Sequence, residues 1–469
     1  MDEQQTNNGR PVNPRRKQRS QLQIFKETYL PAVIACVALL LILIFTIGSI
    51  VRGIQNSKHK AQLAQEASIA QQEELERLTT EANALLTESA SLARHFDYTG
   101  AISLIETFSG NLADFPELAQ KHKDYTEAQS NLVLWDDPNQ VVNLSFQILI
   151  SDSVRAYADA TYGYSYNQNF ITTQEFTKIL QQLYENGYIL VNLRDVTSDS
   201  GPNELYLPEG KKPLILTQTN VNYYTYMLDS NGDRLPDKDG AGFASKLTLD
   251  ANGNITCEIV DSEGNITTGA FDMVPILDSF VETHPDFSYK GAKAILSVTG
   301  YDGVFGYRTS PAAEEFFGKA YHESEVETAA QVVSKLRETG YEIACYTYEN
   351  EPYGSYTAEQ IRAEMEKWNA EVLPVIGKTD IFVFSRNSDI APSGSAYSGD
   401  KFTAIQSQGY SYYLGFCEDG SPWYSTHGNY IRQGRILVTG ANLTSHQEWF
   451  NGIFDPSSVL DANRGTVPA

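Results

Sequence analysis

The sequence predicts an α/β protein: a domain built on a parallel sheet, open or closed into a barrel, set behind one membrane-crossing helix and a helical stalk. Three observations point there. Residues 28–51 form a run of 24 residues without a charge, almost wholly aliphatic over residues 37–47. Residues 55–96 place apolar side chains at alternating spacings of three and four. From residue 141 onward, apolar runs of four to six residues alternate with amphipathic helical stretches. Repeated strand–helix units within one domain imply a parallel sheet.

The uncharged run is long enough to cross a bilayer, since about 20 helical residues span a hydrocarbon core of about 30 Å. A cleaved signal peptide has a shorter apolar core of about 7–15 residues, followed by small residues; here the run continues into Arg52. Arg10, Arg15, Arg16, Lys17, Arg19 and Lys26 precede it. Positive flanks stay in the cytoplasm, so residues 1–27 are expected inside and the bulk of the chain outside. That tail is net +3 within a chain of net charge −24, leaving the remainder near −27. Such an acidic outer part disfavours nucleic acid or anionic lipid as its main partner.

Behind the anchor, Leu75, Leu78, Ala82, Leu85, Ser89, Leu92 and Phe96 form a stripe about three heptads long, near the lower limit for a coiled coil. A stalk that holds the next domain off the membrane and a dimer through the stripe both fit it. Residues 95–111 suggest a turn and a second helix, and residues 116–134 a third. Outside the anchor only Cys257, Cys345 and Cys417 remain. An odd count without CxxC spacing argues against a disulfide framework or a cysteine zinc site.

The later elements follow in order. VNLSFQILI reads as a strand, and residues 173–186 as a helix with Phe176, Ile179, Leu180 and Leu183 on one face and Gly187 ending it. YILVNL and PLILT are strands, whereas residues 245–270 look like hairpins turning at Asn-Gly and Glu-Gly. AKAILSVTG, a helix over 323–338, YEIACYTY, a helix over 359–372, DIFVFS, a helix over 402–408, YSYYLGF and GRILVTG continue the series. In an α/β barrel, chemistry sits at the C-terminal ends of strands. Those ends read Gln218-Thr219-Asn220, then Tyr346-Thr347-Tyr348-Glu349-Asn350, then Ser385-Arg386-Asn387.

From about residue 141 the chain reads FITTQEFTKILQQLYENGYILV, PLILT with VNYY, GFASKLTLD with its hairpins, and VPILDSFVETHPDFSYKGAKAILSVTGYDGVFGYRT ahead of GYEIA. In the order of these segments it resembles the polysaccharide deacetylase (NodB homology) family of carbohydrate esterases, in its large membrane-anchored Gram-positive form. The resemblance implies a distorted (β/α) barrel over residues 139–469, behind a basic tail (1–27), an anchor (28–51) and a stalk (52–138). It also implies removal of N-acetyl groups from a glycan. In the family, an Asp-Asp pair supplies a general base and a metal ligand, and two histidines after another strand complete a zinc site that activates water.

This chain departs from the pattern at each of those positions. The base aligns with Thr219 and the metal ligands with Asn220, Tyr346 and Asn350, while a further histidine expected in the first strand aligns with Gln147. Asparagine offers a neutral carbonyl, and a phenol with pKa near 10 is a poor zinc ligand at neutral pH. The expectation is therefore a membrane-anchored, surface-exposed pseudoenzyme that binds a glycan or a partner. The alternative is a deacetylase that retains zinc and activity through other residues. Asp229, Asn231, Asp233, Asp237 and Asp239 alternate around Gly232 and Gly240, a spacing that suits Ca²⁺ and equally a solvated turn; Asp239 falls one place short of the closing carboxylate of an EF-hand loop. Trp423 and Tyr424, and tyrosine clusters at 162–166 and 410–413, are candidates for stacking on sugar rings, although strand alternation would send half of such residues into a core.

Overall fold

The structure, a computed structural model, describes residues 21–198 and 201–464. It comprises two compact units, Met1–Asn83 and Ala84–Ala469. The first unit consists mostly of residues 30–83 of the helix Leu30–Arg94, which is long and apolar enough to cross a membrane and leaves its apolar stretch unburied. Such a helix is compatible with a membrane anchor or a signal sequence. The basic residues Arg10 to Arg19 lie outside the described residues.

In the second unit, the helices Tyr98–Glu106 and Pro116–Ser130 form a hairpin that buries Ala101, Ile105, Leu118 and Tyr125. Asp97 starts it by accepting the Gly100 amide at 3.0 Å. The hairpin's approaches are tied to the following domain. The His95 ring meets the Ser288 carbonyl at 3.1 Å, and the Lys290 amide donates to the His95 carbonyl at 2.8 Å. Strand Val133–Trp135 pairs antiparallel with Leu205–Leu207. Phe96 and Trp135 pack against the apolar interior of the barrel, and the second unit holds residues 84–138 together with it.

Seven parallel strands close into a barrel: β1 (Val142–Phe146), β2 (Lys212–Gln218), β3 (Ile295–Val298), β4 (Glu342–Cys345), β5 (Ile381–Val383), β6 (Tyr412–Phe416) and β7 (Tyr430–Leu437). They follow chain order around the ring, and β7 returns to β1 through Ile436↔Leu144 and Leu437↔Ser145. The ring is distorted in two places. A short strand, Tyr188–Leu190, pairs with the start of β2, which leaves only Thr217 and Gln218 to pair with β3. On the far side, β4 and β5 meet at Cys345↔Phe382 alone. The meander Lys246–Leu249, Ile255–Val260 and Ile266–Gly269 stands apart as an antiparallel sheet with turns at Gly253 and Gly264, as the Asn-Gly and Glu-Gly signals predict.

Strand alternation divides the core. Ile215, Ile295, Ala344, Ile381, Val383, Leu414 and Ile431 fill the interior together with Leu205 and Leu207. Leu144, Phe146, Leu216, Leu296, Ile343, Phe382 and Phe384 face the surrounding helices. Each such aliphatic residue contributes about 1.5–3 kcal/mol on full burial. The helix Thr173–Glu185 shows how local signals serve this packing. Thr172 and Glu175 form a capping box, Phe176, Ile179, Leu180 and Leu183 are buried, and Gly187 takes φ 80° after the last turn.

Glu175 does more than cap. Arg464 Nε and Nη2 grip its carboxylate at 2.7 and 2.5 Å, and the Asp461 amide adds a bond at 2.9 Å. Both charged side chains are buried, so the pair fastens the end of the described chain to the helix Thr173–Glu185. Removing one partner strands the other charge in a dry site, which costs about 3–5 kcal/mol. Arg464→Ala is therefore expected to lower the unfolding free energy of this unit by that amount in urea titration; a loss below about 1 kcal/mol would contradict the assignment.

Candidate binding site at the barrel mouth

The C-terminal ends of β1, β2, β4, β5 and β7 converge on a cavity of about 280 Å³. Thr219, Asn220, Tyr346 and Asn350, separated by up to 131 positions in the chain, all line it, as do Gln147, Arg386 and Asn387. The structure thus gathers into one mouth the strand ends singled out in the sequence. Thr219 is anchored to β1 through its amide and hydroxyl, both donating to the Phe146 carbonyl, at 2.7 and 3.2 Å. The Asn220 amide nitrogen donates to Gln147 Oε1 at 3.3 Å, and its oxygen accepts the Tyr224 hydroxyl at 3.0 Å.

The rim is held in an uncommon backbone geometry. Asn220, Thr347, Asn350, Arg386 and Asn387 all have φ between 48° and 61°. Among residues with a side chain asparagine visits this left-handed region most readily, whereas a β-branched threonine there is a clear outlier. Thr347 is held by its surroundings: its hydroxyl accepts the Glu351 amide at 3.0 Å, and Ser385 Oγ donates to the Glu351 carbonyl at 2.5 Å. Strain of this kind persists only where the environment over-determines it, and it clusters at functional sites.

Beneath the rim the barrel interior turns polar in steps. Asn143, Thr217 and Gln433 form a fully buried layer, with Thr217 Oγ1 donating to Asn143 Oδ1 at 2.9 Å and Asn143 Nδ2 to Gln433 Oε1 at 3.2 Å. One step along β7, Arg435 is 1% exposed and lines the cavity. Its Nε donates to the Gly415 carbonyl at 2.8 Å, Nη1 to Ser145 Oγ at 2.8 Å and Nη2 to the Phe384 carbonyl at 2.9 Å. All three acceptors are neutral. Burial pushes the guanidinium pKa down, but from a starting value so high that the side chain stays charged.

Asp272 positions the loop that carries Thr219 and Asn220. It lies at the start of helix Met273–Thr283, fully buried. Its Oδ1 accepts the amides of Leu149 and Met273 at 2.9 and 2.8 Å and Gln218 Nε2 at 2.7 Å, while Oδ2 accepts the Tyr223 hydroxyl at 2.5 Å. Burial outweighs these donors and pushes its pKa from 3.8 up to about 6. The folded protein then holds a proton that the unfolded chain releases between those values. The stability it brings is complete below about pH 4 and is lost as pH rises through about 6, by at most about 3 kcal/mol. Asp272→Asn is expected to flatten that decline when wild type and variant are compared by denaturant titration from pH 4 to 7. Parallel curves across that range would contradict it.

A catalytic zinc ion takes three protein ligands from His, Cys, Asp and Glu and keeps an open position. At the aligned positions the mouth offers a hydroxyl, two carboxamides and a phenol, a donor set that does not fit zinc. Among the described residues no group of three or more His, Cys, Asp or Glu side chains converges as ligands would. The Asp229–Asp239 stretch is an exposed loop whose oxygens serve its own backbone. Asp229 accepts the amides of Asn231, Gly232 and Arg234 at 2.9, 2.7 and 2.7 Å; Asn231 accepts that of Asp233, and Asp233 that of Leu235. Asp237 accepts the Asp239 amide at 2.8 Å, and Asp239 pairs with Lys238 at 3.0 Å.

Trp423 and Tyr424 do not line the mouth cavity. The Trp423 indole donates to the Phe416 carbonyl at 3.1 Å and lies against Arg432; Tyr424 sits in a strand antiparallel to β7, its hydroxyl 2.5 Å from Thr197 Oγ1. Other tyrosines do adjoin the mouth. Tyr224, which holds Asn220, stacks near Tyr226 and Tyr301 at ring distances of 5.9 and 6.0 Å. Tyr226 and Tyr301 are 51% and 55% exposed and line a second cavity of about 570 Å³. Tyr162 meets Tyr226 edge-on at 5.4 Å, whereas Tyr166 and the 410–413 cluster are buried.

No family model matches the chain, and no curated protein matches it. In structure the chain is similar to the deacetylase PplD of Streptococcus pyogenes in complex with acetate, with 14% identity and a TM-score of 0.36 over 66% of this chain and 95% of that one. It is also similar to BA0330 of Bacillus anthracis, described as a candidate polysaccharide deacetylase, with 11% identity and a TM-score of 0.35 over 69% of each chain. Both are distant likenesses.

Proposed function

We propose that this chain is a membrane-anchored, cell-surface protein whose barrel mouth binds a glycan without zinc-dependent deacetylation. The observation that carries the reading is the character of the mouth: hydroxyl, phenol and carboxamide groups at Thr219, Asn220, Tyr346 and Asn350, held on a strained rim around one cavity. Such groups suit sugar hydroxyls and acetamido groups, which donate and accept hydrogen bonds without carrying charge. They cannot act as a general base near neutral pH or hold a zinc ion. The family resemblance read from the sequence supplies the ligand class. The exposed faces of Tyr226 and Tyr301, linked to the mouth through Tyr224 and Asn220, extend it with surfaces on which sugar rings stack. The apolar helix and its basic flank support an orientation with the tail inside and the barrel outside.

Titration calorimetry of the full chain in nanodiscs tests this reading. N-acetylated chitotetraose is expected to bind, and Asn350→Ala to weaken it about tenfold, the loss of one or two hydrogen bonds. Zinc titrated into wild type is expected to give no stoichiometric binding and no acetate release, whereas the triple variant Asn220→Asp, Tyr346→His, Asn350→His gains zinc. One equivalent of tightly bound zinc in wild type together with acetate release would overturn the proposal.

A further inference from the structure

The mouth is cationic in an acidic protein. The chain carries a formal net charge of −24, yet neither Asp nor Glu lines this cavity, while Arg386 and Arg435 do. Arg386 is exposed at the rim, and Arg435 is buried below it. Arg435 differs from the other buried arginines in its partners. Arg432 pairs with Asp389 at 2.9 Å and Arg464 with Glu175 at 2.5 Å, both across a charge. Arg308 pairs with Asp302 at 3.4 Å. Among the described residues, no carboxylate stands within ion-pair distance of Arg435, and two of its five N–H groups have no protein acceptor. A buried cation without a counter-charge is costly, and buried charges in folded proteins are ordinarily paired.

We infer that the mouth is an oxyanion subsite, in which a carboxylate or phosphate carried by the glycan supplies the counter-charge that Arg435 lacks, with Arg386 closing over it from the rim. A guanidinium suits this task, because its planar fork presents parallel donors to either oxyanion. Thr219, Gln147 and Asn350 then meet the neutral parts of the same residue. The inference rests on the glycan-binding reading and narrows it to acidic saccharides. Carboxylate and phosphate share the chemistry on view here; a uronic acid and a sugar phosphate are its two sources.

The test measures binding of three probes to the full chain in nanodiscs: neutral N-acetylated chitotetraose, a glucuronate-bearing hyaluronan tetrasaccharide, and N-acetylglucosamine 1-phosphate. One acidic probe is expected to bind at least about tenfold tighter than chitotetraose, and which one does so names the source. Arg386→Ala, at an exposed position that the fold does not depend on, should erase most of that preference. Arg435→Gln should erase the rest, with circular dichroism reporting whether its three strand contacts survive. Chitotetraose binding as tightly as both acidic probes would overturn the oxyanion subsite and leave the glycan reading standing. Acidic probes that bind while chitotetraose does not would uphold the subsite. Acidic binding indifferent to both Arg386→Ala and Arg435→Gln would place the anion elsewhere and overturn it. No binding by any probe would overturn both.

Discussion

The mouth depends on one buried cation. Arg435 reaches from β7 to Ser145 on β1, Gly415 on β6 and the Phe384 carbonyl just beyond β5, so one planar group spans four strands of the ring. Hydrogen bonds to a charged donor contribute about 1.5–3 kcal/mol each, while removing such an ion from water costs several kcal/mol. Those three bonds offset part of that cost and tie the upper ends of neighbouring strands together at the level of the mouth. The layer of Asn143, Thr217 and Gln433 beneath it grades the interior from the aliphatic core to that charge, with each amide occupied by its neighbours.

From this frame the rim follows. The loop after β2 is fastened below by Asp272 and above by the Tyr224–Asn220 bond, so Thr219 and Asn220 have little freedom. The loop after β4 is pinned through Thr347 and Ser385, which bind the backbone on either side of Glu351. Left-handed residues at five rim positions turn the chain sharply at the strand ends, and four of them, Asn220, Asn350, Arg386 and Asn387, line the cavity. A rim so constrained suits recognition, where preorganised groups avoid the entropic cost of ordering on binding.

Much of this architecture is legible in the sequence, because the parallel strands are short apolar runs and the helices carry local caps. The capping box at Thr172 and Glu175 and the Asn-Gly turn at Gly253 are signals of that kind. Strand ends locate a barrel's mouth without knowledge of its packing, which is why Thr219, Asn220, Tyr346 and Asn350 meet. What stays hidden depends on register and distance. Arg435 shares the inner face of β7 with Ile431 and Gln433, but its acceptors on β1, β6 and beyond β5 come from distant segments; in the string, GRILVTG reads as an ordinary strand with a charge near its start. Asp272 looks like a helix cap, and its bonds to Leu149 and Gln218 span 123 and 54 positions. The docking of residues 84–138 beside the barrel rests on the His95 backbone and ring, the pairing of Val133–Trp135 with Leu205–Leu207, and aromatic contacts at Phe96 and Trp135, long-range partners that periodicity does not register. Trp423 and Tyr424 read as aromatic faces for sugar rings, but the Trp423 indole is tied to the Phe416 carbonyl and Tyr424 is paired in a strand against β7.

The central claim is that this mouth takes a saccharide directly, with no zinc ion between protein and ligand. Diffraction from crystals of the protein grown with zinc and N-acetylated chitotetraose, recorded at the zinc absorption edge, tests it most directly. The account predicts sugar density against Asn220, Tyr346 and Asn350 with no anomalous peak among them. A zinc peak coordinated by those side chains would contradict it.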